Sequence, residues 1–183
     1  MQQKIILRKK FFNLRKNKYY EINKEFFLPL LKLVGSKFKK KTLKIALYYP
    51  SNFELNVLKL LEINSFTNYD TLLPVIDKTN LMNFFSWKKN DILFVNNFGI
   101  LEPLKSKIKV PDVMLIPLLA FDKKKFRLGY GKGFYDRYLQ RCLKQSKKIL
   151  TVGVAFSFQK HHKLPINKND VKLDFILTEK GIN

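Results

Sequence analysis

A single cysteine, Cys142, in 183 residues excludes an internal disulfide and a thiolate-rich metal cluster. It falls on the apolar face of a helical stretch, so it reads as a core residue in a reducing compartment. The only two histidines, His161 and His162, are adjacent and cannot share one face of a helix or strand. They read as surface loop residues. No apolar run approaches the length of a bilayer span, and residues 1–15 interleave cations with apolar side chains where a secretion signal would carry a separate apolar core. The expectation is a cytoplasmic protein with no membrane partner.

Acids are also scarce. Fourteen Asp+Glu face 36 Lys+Arg, a net charge of +22, and the isoelectric point is near 10. Half of that excess lies in the first 41 residues, where 13 cations from Lys4 to Lys41 meet only Glu21 and Glu25. Such a field attracts polyanions, which raises nucleic-acid binding as one class of function. Against it, the lysines are scattered along the whole chain, without a defined stripe or an interleaved stacking motif. With 46% apolar residues the chain supports one cored domain, 1–183.

Glycine numbers only seven, yet three of them stand at alternate positions in "RLGYGKGFYDRYL", Arg127 to Leu139. Ordering glycine costs conformational entropy, so this spacing marks a backbone that needs positive φ or close approach. Tyr135, Tyr138, Leu139, Cys142 and Leu143 follow at helical spacing. Upstream, "VMLIPLLAF" (Val113 to Phe121) reads as a buried strand. Strand, loop, glycine turn and helix start in that order suit an anion, because a helix N-terminus presents unpaired N–H groups. A plain left-handed turn before a helix fits the glycines equally well. Neither a Walker loop nor the G-x-G-x-x-G fingerprint matches Gly129, Gly131 and Gly133.

The remaining chain divides into a basic helical region from residue 4 to about 27, ending before Pro29 with a continuation to about Lys41. Strands follow at Leu43–Tyr49 and Tyr69–Ile76 with a short helix at Glu54–Glu62 between them, then short strand pieces from Thr79 to Glu102, a helix from Phe134, and strands at Lys148–Phe156 and Val171–Thr178. Alternation of this kind predicts an α/β fold: a three-layer sandwich with a mostly parallel central sheet and helices on both faces.

Among the chemistry-bearing residues, Asp136 falls in the first turn of the helix after the glycines. Beside a bound phosphate its charge would be unfavourable unless a hard cation such as Mg2+ lay between. Lys132, inside the loop, is placed to offer a point charge to a transferring phosphoryl group. Lys4 and Arg8 lie one helical turn apart and share a face. Simple dipole complementarity and solvated lysines account for the same residues when each is taken alone.

Five segments together are more specific. "LIPLLAFDKKKFRLGYGKGFYDRYL" resembles the signature of the 5-formyltetrahydrofolate cyclo-ligase family, Pro-x-x-(Ala/Gly)-Phe-Asp followed by Arg-Leu-Gly-x-Gly-(Gly/Lys)-Gly-Tyr-Tyr-Asp. "KIILR" (Lys4 to Arg8), "YYPSNFE" (Tyr48 to Glu54), "FGILEP" (Phe98 to Pro103) and "NDVKLDFILTEKG" (Asn169 to Gly181) resemble further family segments in the family's order. The resemblance implies an ATP- and Mg2+-dependent enzyme that cyclises 5-formyltetrahydrofolate to 5,10-methenyltetrahydrofolate, releasing ADP and phosphate. It implies that Lys4 and Arg8 contact ATP phosphates and that Arg127, Leu128, Gly129, Tyr130, Gly131, Lys132, Gly133, Phe134 and Tyr135 wrap the nucleotide. Lys132 and Arg127 would be the catalytic cations, and Asp136 and Asp170 the metal ligands, with Asp174 an alternative to Asp170. Tyr49 and Glu54 would meet the folate, and Tyr130 to Phe134 would line its formyl end. The chain departs from the pattern at Phe134, which lacks the hydroxyl of the family's first paired tyrosine, and at Val75, where a cation commonly follows the proline. The expected partners are small molecules, the expected state a monomer. A basic nucleic-acid-binding module and a kinase-like enzyme of another family are the competing classes.

Overall fold

The computed structural model describes residues 2–39, 42–97 and 99–183. Met1, Lys40, Lys41 and Phe98 lie outside the described residues, and with them the first residue of "FGILEP" and the last two cations of the N-terminal run.

Among the described residues seven strands form one sheet. Inside it β1 (Leu43–Ala46) pairs in parallel with β2 (Tyr69–Ile76) on one side and, on the other, with β6 (Val113–Pro117), the middle strand of the seven. Beyond β6 come β9 (Leu150–Val154) and β10 (Phe175–Thr178), both parallel. Antiparallel strands close the two edges, β3 (Met82–Ser86) against β2 and β11 (Gly181–Ile182) against β10. Two short hairpins stand apart: β4 (Leu93–Val95) with β5 (Leu101–Pro103), and β7 (Ala120–Phe121) with β8 (Arg127–Leu128).

Alternation along each strand assigns residues to two faces. Ile45, Val113, Leu115 and Val152 join Leu30 and Val34 of α2 (Leu28–Lys37) in one core. Ala46, Met114 and Ile116 join Tyr138, Leu139 and Cys142 of α3 (Phe134–Lys144) in the other. Both faces of a parallel sheet are thus covered, giving the expected three layers; each fully buried Leu, Ile or Val contributes about 1.5–3 kcal/mol. The remaining helix, α1 (Gln2–Lys18), buries Leu7 and Phe11 against Leu119, Ala120, Leu128 and Leu164, and so packs on the β7–β8 hairpin that follows β6.

Several boundaries differ from the expected ones. The N-terminal helical region is not continuous to Pro29: α1 stops at Lys18, and a 3-10 turn at Lys24–Phe27 leads into α2. Pro29 sits in the first turn of α2, where its missing N–H costs nothing and its fixed φ suits a helix start. The helix expected at Glu54–Glu62 is a 3-10 helix over Val57–Glu62, which leaves Glu54 in the loop before it. The strand expected at Leu43–Tyr49 is shorter, as are those at Lys148–Phe156 and Val171–Thr178. The apolar run from Val113 to Phe121 is divided between β6 and β7, because after Pro117 the chain leaves the sheet to form its hairpin. Cys142 is buried and unpaired, and His161 lies edge-on to Phe11 in an outer loop.

Candidate functional site

The glycine turn leaves β8 at Leu128 and enters α3 at Phe134. Gly131 has φ +104° and Gly133 φ +67°, conformations that a residue with a Cβ adopts only under strain. Gly133 is the N-cap of α3 and, lacking a side chain, leaves the helix start without a side-chain cap. A Cβ on Gly131 would lie 3.1 Å from Cζ of Arg8, so the arginine occupies the space the glycine leaves. Arg8 Nε donates to the Gly129 carbonyl at 2.9 Å. Above Gly129 there is open room, with nothing within 4 Å of a built Cβ. Lys132 is exposed. Arg137 lies with its guanidinium 5.2 Å from the Phe134 ring centre and donates to the Lys132 and Asn80 carbonyls at 2.7 and 3.2 Å.

Charged residues close the near side of this turn. The Arg127 side chain is only 4% exposed and pairs with Asp136 at 2.8 Å; burial pushes its pKa down, and Asp136 opposes that. Asp136 also accepts from the Val171 N–H at 3.1 Å. One residue earlier, Asp170 pairs with Lys4 at 2.5 Å and accepts from the Asn167 N–H. Lys4, Arg8, Arg127, Asp136 and Asp170, up to 166 residues apart in sequence, therefore meet in one place. Asp174 is elsewhere: its carboxylate accepts from the N–H and hydroxyl of Thr151 at 2.8 and 2.7 Å. Two carboxylates without histidine or cysteine suit a hard cation that completes its shell with water and phosphate oxygens. No group of three or more His, Cys, Asp or Glu side chains comes together among the described residues.

A second polar group adjoins the turn. Glu54 is 6% exposed and accepts from the Ser51 N–H at 2.9 Å. Burial pushes its pKa up, while the Ser51 hydrogen bond, the charge of Arg15 and a hydrogen bond with Tyr130 pull it down. Burial and the neighbouring Glu54 charge raise the Tyr130 and Tyr135 hydroxyls. Arg127 acts on Tyr135 in the opposite sense, so Tyr135 feels charges from both groups and links them. Tyr49 is half-buried at the edge of the α2-side core, whereas Tyr48 beside it is buried and donates to the Leu55 carbonyl at 2.8 Å. Val75 is buried in β2, where a cation would be costly.

Arg15 escaped the sequence reading. It is 1% exposed and donates to the carbonyls of Leu118 (3.0 Å) and Asn52 (2.7 Å) and to the Tyr130 hydroxyl. The signal was its spacing: Leu7, Phe11 and Arg15 form the buried stripe of α1 at i, i+4 and i+8. A cation in an apolar stripe calls for buried acceptors.

A mostly parallel α/β sheet that sets a glycine turn, a helix start and convergent cations beside a buried carboxylate places the chain among the α/β enzymes. Comparison narrows this: residues 2–179 match the 5-formyltetrahydrofolate cyclo-ligase family, and the chain belongs to it. It is 35% identical over 146 residues to the 5-formyltetrahydrofolate cyclo-ligase of Haemophilus influenzae, covering 76% of this chain and 77% of the relative. To that of Mycoplasma genitalium it is 34% identical over 151 residues, covering 80% and 79%. The solved structure of Aquifex aeolicus 5,10-methenyltetrahydrofolate synthetase superposes with a TM-score of 0.76 at 33% identity, over 98% of this chain and 91% of that one.

Proposed function

We propose that this protein cyclises 5-formyltetrahydrofolate to 5,10-methenyltetrahydrofolate at the expense of ATP, with Mg2+ required. Family membership supports the folate substrate and the reaction class. The observation that carries the assignment to this site is the contact between its two halves: Tyr130, in the glycine turn, reaches Glu54. A folate held by Glu54 then has its formyl end beside the turn.

When bound, Mg-ATP would supply a phosphoryl group to the formyl oxygen and depart as ADP; attack of N10 on the activated carbon would then close the ring with loss of phosphate and of the N10 proton. Glu54, with Tyr49 beside it, accepts hydrogen bonds from the pterin N–H groups. Lys4, Arg8 and Arg127 hold the phosphates, and the turn from Leu128 to Tyr135 wraps them. Lys132 stabilises charge on the moving phosphoryl group. Asp136 and Asp170 would hold the metal, directly or through water. Their existing ion pairs with Arg127 and Lys4 make chemical sense, because a ligand carrying both phosphate and metal offers each member a new partner of opposite sign.

The test is the absorbance of the methenyl product formed from 5-formyltetrahydrofolate with and without Mg-ATP; no product at any substrate level overturns the proposal. Lys132→Ala should lower kcat by about 10²–10³-fold with the thermal midpoint unchanged, since the side chain is exposed. An unaltered rate would remove Lys132 from the chemistry. Asp136→Asn should raise the Mg2+ concentration needed for half-maximal rate, and superimposable metal titrations would refute its role as a ligand.

A further inference from the structure

We infer that Arg15 is a positioning residue of the folate pocket, tying α1, the loop before Glu54 and the glycine turn into one rigid frame around the Glu54 carboxylate. The inference rests on the folate reading above and extends it to a side chain in the helix core. Three observations carry it.

The guanidinium is buried and fixed from two sides of the pocket, by the Asn52 carbonyl at 2.7 Å and by the Tyr130 hydroxyl, with Leu118 at 3.0 Å as its anchor in the scaffold. Its face also lies 5.6 Å from the Tyr130 ring centre. The segment it holds is strained. Asn52 and Phe53 have φ +50° and +63°, two consecutive non-glycine residues in the left-handed region, immediately before Glu54. Such a pair persists only where its surroundings over-determine it, and Arg15 supplies a charged donor to the first of the two. Finally, Arg15 Nε has no partner among the described residues. A buried unpaired donor is costly and uncommon, so the fold's stability alone does not account for an arginine here.

Charge adds to geometry. The groups acting on Glu54 are Ser51 in its own loop, Arg15 from α1 and Tyr130 from the glycine turn; Tyr48 after β1 and Tyr135 of α3 face it as hydroxyls. Among these Arg15 is the cation, and it favours the ionised carboxylate that accepts from the pterin. Removing it weakens the folate side of the site far more than the phosphate side, where Lys4, Arg8 and Arg127 keep their own bonds to Asp170, the Gly129 carbonyl and Asp136.

Arg15→Met, Arg15→Lys, Tyr130→Phe and the Arg15→Met/Tyr130→Phe double variant test this. The readouts are calorimetric binding of 5-formyltetrahydrofolate without ATP, its pH dependence, and the KM for each substrate. Arg15→Met should weaken folate binding by about tenfold or more while the KM for ATP stays within about twofold. The acid limb of folate binding should move to higher pH, Arg15→Lys should recover part of the affinity, and the Arg15→Met loss should shrink in the Tyr130→Phe background. If Arg15→Met does not fold, Arg15→Lys and Tyr130→Phe must both move the acid limb upward. Unchanged folate affinity, or equal losses for both substrates, overturns the inference while leaving the activity standing. A parent protein that binds no 5-formyltetrahydrofolate overturns the folate reading itself, and this role with it.

Discussion

Glu54 shows how one carboxylate can serve binding at a cost to the fold. Burial raises its pKa, so the folded state holds the proton more tightly than the unfolded chain does. Between the ordinary glutamate value and the raised one, protonation therefore stabilises the fold but removes the acceptor that the folate needs. Folate affinity should accordingly fall on acidification from a pH above the usual carboxyl range, without matching loss of thermal stability from this residue; calorimetry and melting curves over the same pH series separate the two. Gly131 is the second informative residue. Gly131→Ala meets both a left-handed φ and Arg8 Cζ at 3.1 Å. The arginine must give by a few tenths of an ångström, which strains its bond to the Gly129 carbonyl, so we expect a loss of about 1–2 kcal/mol in stability together with a raised KM for ATP. A wild-type ATP titration for this variant would mean that Arg8 plays no part in nucleotide binding. At this scale the glycines and Asp136 were legible as candidates because three alternate glycines and an acid break a lysine-rich composition; Lys132 stood out only by its place inside the turn, and Glu54 only through the family resemblance. Arg15 was hidden because a cation in a lysine-rich helix looks ordinary until its neighbours at positions 7 and 11 prove to be buried.

Elements were legible where one pattern dominated. The strand Tyr69–Ile76 matches its expected limits, since "YDTLLPVI" is bounded by polar residues, and α3 starts where the glycines end. Elsewhere a boundary depends on where the chain has to go next: Pro29 opens a helix because the chain turns just before it, and β6 ends at Pro117 because a hairpin must be launched toward α1. The central strand β9 leaves little tolerance. A Cβ at Gly153 would come within 2.8 Å of Ile176, Leu118 and Leu173 side chains, so Gly153→Ala should cost about 1–3 kcal/mol by overpacking. A thermal midpoint equal to that of the parent would show that these side chains can rearrange freely. Asp174, which the sequence left as an alternative to Asp170, is explained at the same scale by its bonds to Thr151, which fasten β10's approach to β9.

Across the whole molecule the charge of +22 acts on stability as well as on ligands. Self-repulsion among exposed lysines opposes compaction and is screened by salt. Raising NaCl from about 10 mM to 0.2 M, which shortens the screening length roughly fourfold, should lift the thermal midpoint by about 2–4 °C. A midpoint independent of salt would mean the cations are too dispersed to repel appreciably. The same dispersion argues for a general solvated surface over a nucleic-acid stripe. Folate turnover would fall only gradually with salt, in contrast to the steep dependence of a polyanion-binding module.

Local chemistry in the sequence determined the α/β class and the glycine turn feeding a helix, and it marked Lys132 and Asp136, because backbone preference and side-chain type are properties of short stretches; the other residues proposed to act came with the family resemblance. Tertiary structure alone decided which carboxylate meets which cation, that Asp170 stands with Lys4 while Asp174 is spent on Thr151, and that Arg15 joins the loop before Glu54 to Tyr130. Those partnerships span up to 166 residues. They arise from the order of strands in the sheet and from α1 packing beside the β7–β8 hairpin; the spacing of Leu7, Phe11 and Arg15 marks a buried face on α1 but does not say what that face meets.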